Sequence, residues 1–298
     1  MTLFLALATL ALLGDPAVPA GSSKIELDYD GLKLEVYTHK PANWTGERML
    51  VVFHGVNRNA DEYRDHAVGL GERFGMLVVA PRFDAERFPS RAYQRGGILK
   101  EDGTAADPSA WTYAYVPRIA RSIREREQKP ELKHWLIGHS AGGQFCMRMA
   151  AFQDTGAERI VAANAGSVLF PSRDADFGYG FGKLPDVLAS DDVLKRYLAA
   201  PLTLYLGTAD DHEDEWLDTS EPAMRQGPGR LQRNRAAFEA ARVLAAEKGW
   251  PFTWTKVEAL GIEHDHEKMF AHDEVERALF GREPRSTPVD AGPKAPPK

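Results

Sequence analysis

A serine flanked by small residues lies where an apolar segment meets an amphipathic one. Ser140 is the centre of the letters GHSAG at positions 138–142, a G-x-S-x-G pattern. The apolar run 133–137 leads straight into the pattern, and the spacing after it predicts a helix over 140–152. This strand–turn–helix context exposes a serine oxygen for attack on a carbonyl carbon, and the tight turn requires small neighbours. The pattern predicts a serine nucleophile; the competing interpretation is a glycine-rich turn without catalysis.

An acid and a base are expected after two later strands. Asp210 follows the predicted strand 201–206, and Asp211 beside it is the alternative acid. His264 follows the last predicted strand and precedes the last predicted helix, with His266 as the alternative base. Serine, acid and histidine occur along the chain in the order of one known class of catalytic triads. We therefore expect Ser140, Asp210 and His264 to act together.

Backbone N–H groups next to the serine could hold the negative oxygen of a tetrahedral intermediate. The N–H of Ala141 would lie at the start of the predicted helix, where such groups are free to bind an anion. His54, Gly55 and Val56 follow an earlier buried strand, and the Val56 N–H is the predicted second donor. Gly55 would let the backbone approach closely. His54 and Gly55 are assigned to the substrate region, although a histidine that braces the loop is the simpler interpretation of His54.

Two long insertions and one strand end are candidates for the substrate pocket. The insertions cover residues 82–114 and 170–191, and loops of this length in a compact domain are commonly lids or binding loops. Trp111 and the aromatic stretch 177–181 lie in them. Their rings could line an acyl or aryl pocket, or could pack the insertions onto the domain. Asn164 follows a predicted strand and could face the same crevice.

Strand-like and helix-like segments alternate from residue 24 onward. Two alternating runs around Asp30-Gly31 predict a leading hairpin, and single helices are predicted over 61–74 and 267–279. Alternating strands and helices favour parallel pairing with right-handed crossovers. The predicted fold is α/β, with a doubly wound, mostly parallel sheet, an antiparallel leading hairpin and loop-rich lid insertions.

Both ends of the chain differ from the middle. Residues 1–20 hold an apolar run and small residues at a cleavage point, which is typical of a signal peptide, although no Lys or Arg precedes residue 13. Residues 21–281 are the predicted catalytic domain, and the Pro-rich tail 282–298 is predicted to be disordered. The leader favours a secreted or periplasmic protein. No apolar run reaches the length of a membrane span.

Composition limits the partners. The net charge of −6 and the lack of a basic cluster argue against nucleic acid binding. The single cysteine, Cys146, excludes an internal disulfide and is expected to be a small buried side chain. The histidines at 264 and 266 and the acidic run 210–215 could supply metal ligands, but neither has a tight ligand spacing of known geometry. We therefore predict no metal and no cofactor.

At these residues the chain resembles the α/β-hydrolase superfamily, over nearly all of residues 22–281. The letters FHGVNRNA at 53–60 and GHSAGG at 138–143 are most similar to secreted polyhydroxybutyrate depolymerases and feruloyl esterases. The resemblance implies hydrolysis of a small or polymeric ester through an acyl-enzyme, without a metal or organic cofactor. The doubled acid, the second histidine and the missing disulfides depart from that group.

Three other functions remain compatible with the sequence. A peptidase or amidase would use the same triad, because ester and amide cleavage pass through the same kind of tetrahedral intermediate. A metal-dependent hydrolase would lose its turnover on chelation. A non-catalytic binding protein could retain the fold, since fold does not determine function.

Overall fold

The computed structural model describes residues 15–281. The first fourteen residues of the predicted signal peptide and the predicted tail 282–298 lie outside the described residues. The strands are β1 (Gly21–Tyr29), β2 (Leu32–Lys40), β3 (Arg48–Phe53), β4 (Leu77–Pro81), β5 (Lys133–His139), β6 (Arg159–Ala163), β7 (Leu202–Gly207) and β8 (Thr255–Ala259). The helices are α1 (Ala60–His66), α2 (Val68–Phe74), α3 (Ser90–Tyr93), α4 (Tyr115–Glu127), α5 (Ala141–Phe152), α6 (Asp186–Ala189), α7 (Asp191–Leu198), α8 (Glu221–Met224), α9 (Arg230–Lys248), α10 (His266–Ala271) and α11 (Val275–Phe280).

All eight strands form one sheet in the order β1-β2-β4-β3-β5-β6-β7-β8. The pairs β1–β2 and β2–β4 are antiparallel, and every other pair is parallel. The hairpin turn at Asp30-Gly31 has positive φ at both residues, as a tight two-residue turn requires. The predicted α/β fold with a leading antiparallel hairpin is confirmed.

Helices cover both faces of the sheet and create two apolar cores. One core contains buried side chains of α4, α5, α7 and α9, and the other contains side chains of α1, α2, α10 and α11. The central strand β3 is buried from Met49 to Phe53, as a strand covered on both faces must be. No helix within residues 15–281 is long and apolar enough to cross a membrane.

Two helices predicted as single are each divided in two. The segment 61–74 forms α1 and α2, which meet at Ala67. The segment 267–279 forms α10 and α11, because His272 adopts an extended backbone with ψ of 144°. The ring of His272 then accepts the Glu274 N–H at 3.2 Å, which offers the backbone an alternative to a helical bond. Periodicity alone does not reveal such local competition.

Buried polar and aromatic contacts fix both long insertions to α5. Arg148 of α5 is 1% exposed and donates to the carbonyl of Gly178 and to the hydroxyl of Ser167. In the first insertion, Tyr93 stacks on Phe145 of α5 with ring centroids 5.0 Å apart. The insertions are therefore packed against the helix that follows Ser140.

Candidate active site

Ser140 occupies a strained turn between β5 and α5. Its φ of 59° and ψ of −116° are unusual for any residue other than glycine. The neighbouring glycines make the turn possible: a Cβ on Gly138 would lie 2.2 Å from the carbonyl oxygen of Gly142, and one on Gly143 would lie 2.4 Å from that of Ala163. The turn thus exposes the serine side chain at the carboxyl end of β5.

The side chains of Ser140, His264 and Asp210 form one continuous hydrogen-bond chain. His264 Nε2 lies 3.0 Å from the Ser140 Oγ, and His264 Nδ1 lies 2.8 Å from Asp210 Oδ2. A carboxylate only accepts, so Nδ1 carries the proton and Nε2 is left to accept from the serine hydroxyl. This arrangement has the geometry of a general base that can take the serine proton.

The structure distinguishes the alternative acids and bases by position. Asp210 is 1% exposed and reaches the imidazole, whereas Asp211 is exposed and lies near His212 instead. His266 turns away from the serine, and its Nε2 lies 2.9 Å from Nδ1 of His66. Burial, reinforced by the charge of that neighbouring ring, lowers the pKa of His266 to about 4.

Arg230 holds the acid from the side opposite the histidine. Its Nη1 donates to Asp210 Oδ1 at 3.1 Å, and its Nη1 and Nη2 donate to the two carboxylate oxygens of Asp214 at 2.7 Å. Hydrogen bonding to Arg230 lowers the pKa of Asp214 to about 2. Burial alone would lower the pKa of Arg230, but its bonds to the two carboxylates raise it. The buried Asp210 carboxylate therefore has a cationic partner.

Sequence reasoning missed Arg230, although one signal was present. It is the first residue of α9, where a positive charge opposes the helix dipole. The unfavourable position of this arginine indicates a compensating acid nearby.

The predicted oxyanion donors lie on two backbone segments that are in direct contact. Ala141 begins α5, and the first N–H groups of a helix have no partner within it. A Cβ on Gly142 would lie 2.2 Å from the carbonyl oxygen of Phe53, so the end of β3 touches the start of α5. The loop with Val56 begins directly after Phe53, and Val56 lies three residues beyond that contact. Both segments therefore lie beside the serine turn.

His54 and Gly55 are packed inside that loop. The Phe83 N–H donates to His54 Nε2 at 3.0 Å, so the other ring nitrogen, Nδ1, carries the proton and donates to the Gly55 carbonyl at 2.9 Å. Burial lowers the pKa of His54 to about 3. A Cβ on Gly55 would lie 2.7 Å from the Tyr63 hydroxyl. The histidine fully uses its two nitrogens to brace the loop.

Asn164 links the end of β6 to the end of β7 and to the loop after β8. Its Oδ1 accepts the Gly207 N–H at 2.8 Å, and its Nδ2 donates to the Glu263 carbonyl at 3.2 Å. Gly207 ends the strand before Asp210, and Glu263 directly precedes His264. Asn164 thus fixes the loops of the acid and the base to β6 and is 2% exposed.

Trp111 lies at the other end of α5 from the serine. Its ring makes an edge contact with Phe152, the last residue of that helix, at a centroid distance of 6.4 Å. Twelve helical residues span about 18 Å, so Trp111 is well separated from Ser140 along the helix axis. Its indole N–H donates to the Ala106 carbonyl within the first insertion.

Comparison with known proteins places the chain among hydrolases. No protein-family model and no curated protein matches the chain. Among solved structures, LpqC, a poly(3-hydroxybutyrate) depolymerase from Bordetella parapertussis, is 32% identical with a TM-score of 0.81, over 90% of this chain and 92% of that chain. Poly(aspartic acid) hydrolase-1 from Sphingomonas sp. KT-1 is 30% identical with a TM-score of 0.81, over 88% of this chain and 100% of that chain. A siderophore hydrolase, EstB from Aspergillus nidulans, shares the fold at 15% identity and a TM-score of 0.52, over 89% and 98% of the two chains.

The sheet order, the helices on both faces and these similarities define a hydrolase. The chain belongs to the α/β-hydrolase family, in its esterase-like group.

Proposed function

We propose that the chain hydrolyses carboxylic esters with Ser140 as nucleophile, His264 as general base and Asp210 as the acid that orients the base. The observation that carries this proposal is the continuous hydrogen-bond chain of 3.0 Å and 2.8 Å between the three side chains. The similarity to a poly(3-hydroxybutyrate) depolymerase supports an ester as the substrate, either small or polymeric.

The reaction has two steps. His264 Nε2 takes the proton of Ser140 as its oxygen attacks the acyl carbonyl, and the N–H groups of Ala141 and Val56 hold the oxyanion. The alcohol leaves with the proton from His264. His264 then takes a proton from water, which attacks the acyl carbon. The bond to Ser140 breaks, the carboxylic acid product leaves, and Ser140 regains a proton from His264. His264 accepts and returns each proton that is moved, so the proposed mechanism requires no metal ion or organic cofactor.

The test is hydrolysis of short-chain and aryl p-nitrophenyl esters by the wild type and by Ser140→Ala. Removal of the nucleophile should lower turnover by roughly 10³-fold or more, since only binding and oxyanion stabilisation remain. Ser109→Ala is the control, because Ser109 is exposed and bonds only to its neighbour Asp107. Equal turnover in all three proteins would exclude Ser140 as the nucleophile. Inactivity of all three towards every ester would refute ester hydrolysis and leave amide hydrolysis, considered next, or a binding protein.

A second candidate function is amide hydrolysis in an acidic polymer. It is favoured by the 30% identity to a poly(aspartic acid) hydrolase over the whole of that chain. The two functions separate in one assay, which compares release of products from poly(aspartic acid) and from 3-hydroxybutyrate oligomers. Loss of either activity in Ser140→Ala would assign it to the same serine.

We also propose that residues 1–20 are a signal peptide and that the domain of residues 21–281 acts in the periplasm or outside the cell. Strand β1 begins at Gly21, so cleavage there would leave every strand intact. Mass spectrometry of the intact protein from cell fractions tests this: a mature chain starting at Gly21 is expected outside the cytoplasm. A full-length chain confined to the cytoplasm would refute it.

A further inference from the structure

A second group of polar side chains lies where α1 packs against α10. Nδ1 of His66 is 2.9 Å from Nε2 of His266, and a carboxylate oxygen of Glu62 is 3.7 Å from the same His266 nitrogen. One ligand atom from each of the three residues lies within 4.8 Å of the others. None of the three belongs to the proposed triad.

We propose that His66, His266 and Glu62 bind one zinc-type divalent ion, with water as the fourth ligand. Two imidazoles, one carboxylate and an open position form a donor set that Zn²⁺ takes in proteins. Ligand atoms of a tetrahedral zinc ion at about 2.0–2.1 Å lie about 3.3 Å from each other. The distances of 2.9 Å and 3.7 Å fall on either side of that value, so side-chain shifts of about half an ångström complete the geometry.

Helix geometry and neighbouring groups hold these ligands in place. Glu62 and His66 are four residues apart on α1 and therefore share one face of the helix. Tyr63 lies flat against the His266 ring, with a centroid distance of 3.9 Å and an interplanar angle of 6°. The Asn59 amide donates at 2.5 Å to the second oxygen of Glu62, which leaves the first oxygen for the ion.

An outer carboxylate lies within ion-pair range of the remaining imidazole. Glu267 lies 3.7 Å from Nε2 of His66, the nitrogen that faces away from the cluster. Carboxylates in this outer position commonly fix the ring and tautomer of a metal-binding histidine. The His66 and His266 side chains are 24% and 17% exposed, so an ion can enter from solvent.

The ion would stabilise the segment that carries the proposed base. His266 follows His264 by two residues, and the buried ring of His139 packs against both, at centroid distances of 4.5 Å from His264 and 5.7 Å from His266. A ligand bond from His266 to α1 would therefore restrict the start of α10 and the loop before it. The role is structural, because the ion shares no ligand with the hydrogen-bond chain at Ser140.

The experiment is a zinc titration of the full chain after treatment with EDTA and dialysis. Isothermal titration should show saturable binding of one Zn²⁺ per chain, and a hundredfold excess over the dissociation constant should raise Tm by roughly 5–10 °C. Mg²⁺ should cause no such shift, since it prefers oxygen ligands. An equal shift with Mg²⁺ would overturn the assignment.

Two variants test the proposed ligands, and a third is the control. His66→Ala and Glu62→Gln should each weaken zinc binding at least about tenfold and remove most of the Tm rise. Glu62→Gln replaces a half-exposed side chain by one of the same shape, so its metal-free Tm should match that of the wild type. His212→Ala removes an exposed histidine outside the cluster and should bind zinc normally. Absence of zinc binding, or wild-type affinity in both ligand variants, would refute the site.

Discussion

Replacing Ser140 by glycine should stabilise the protein relative to replacing it by alanine, although both changes abolish turnover. The reason is the backbone of the serine turn, with φ of 59° and ψ of −116°. Alanine retains the Cβ that makes this conformation strained, whereas glycine adopts it freely. Both variants lose the same hydroxyl and the same hydrogen bond to His264, so their difference isolates the backbone.

The magnitude follows from two opposing terms. A residue held in a sparsely populated region of φ and ψ costs about 1–3 kcal/mol. Glycine loses more backbone freedom on folding than alanine, by about 0.5–1 kcal/mol. The net gain for Ser140→Gly over Ser140→Ala is therefore about 1 kcal/mol, which corresponds to a Tm difference of about 2–4 °C in a domain of this size.

Urea denaturation of the two variants measures this difference directly, and p-nitrophenyl ester turnover verifies that both are inactive. A glycine variant that is equally stable or less stable would refute the reasoning. It would mean that the fold holds the serine conformation without strain. The expected result would show that the backbone conformation that exposes the serine oxygen lowers the free energy of unfolding.

Three further predictions concern the acid, its cationic partner and a buried histidine. Asp210→Asn should lower kcat for p-nitrophenyl esters about 10⁴-fold, because it favours the wrong imidazole tautomer of His264. Asp211→Asn should leave kcat unchanged. Equal losses of kcat in the two variants would contradict the assignment of Asp210 as the acid. Arg230→Met should lower the free energy of unfolding, measured by urea denaturation, by about 3–5 kcal/mol, because it leaves the Asp210 carboxylate buried and unpaired. Arg230→Lys should recover part of this loss. Wild-type stability in the Met variant would disprove the pairing. Because burial lowers the pKa of His54 to about 3 from 6.5, the unfolded chain binds a proton that the folded chain does not, and stability should fall as pH falls below 6.5. This one group removes about 2 kcal/mol by pH 5, and a Tm that stays constant between pH 7 and pH 5 would contradict its burial.

The sequence can place Ser140, Asp210 and His264, the proposed catalytic residues, near one another because parallel strands end at one edge of the sheet. A residue that directly follows such a strand lies at that edge, whatever the length and shape of the segments that connect the strands. The sequence does not distinguish Asp210 from Asp211 as the acid. Adjacent residues point in different directions, and only the conformation of the turn determines which one faces inward. In the structure that turn is closed by a bond from the Asp210 N–H to the Gly207 carbonyl.

The sequence contains part of the information that distinguishes His264 from His266 as the base. Asp265 caps α10 by accepting the Lys268 N–H, which places His266 in the first turn of a helix and His264 in the loop before it. An aspartate at the N-cap with a glutamate in the first turn, ahead of an apolar pair, is a recognisable helix start. The partner of His266, in contrast, is His66, 200 residues earlier in the chain. No local pattern connects two residues that meet only through the packing of α1 on α10.

The geometry of the proposed triad depends on buried polar groups that no motif contains. Asn164 is fixed at the end of β6 by a bond from its N–H to the Tyr205 carbonyl, and its side chain then binds the segments that precede Asp210 and His264. Arg230 adds the remaining constraint on the acid. Because each of these groups is buried, an error in one position leaves a polar atom without a partner and costs free energy. The alignment of the proposed catalytic side chains therefore depends on the free-energy cost of leaving buried polar groups unpaired. A short sequence pattern reveals Ser140, but it does not reveal Asn164 or Arg230, because these residues lie on other elements.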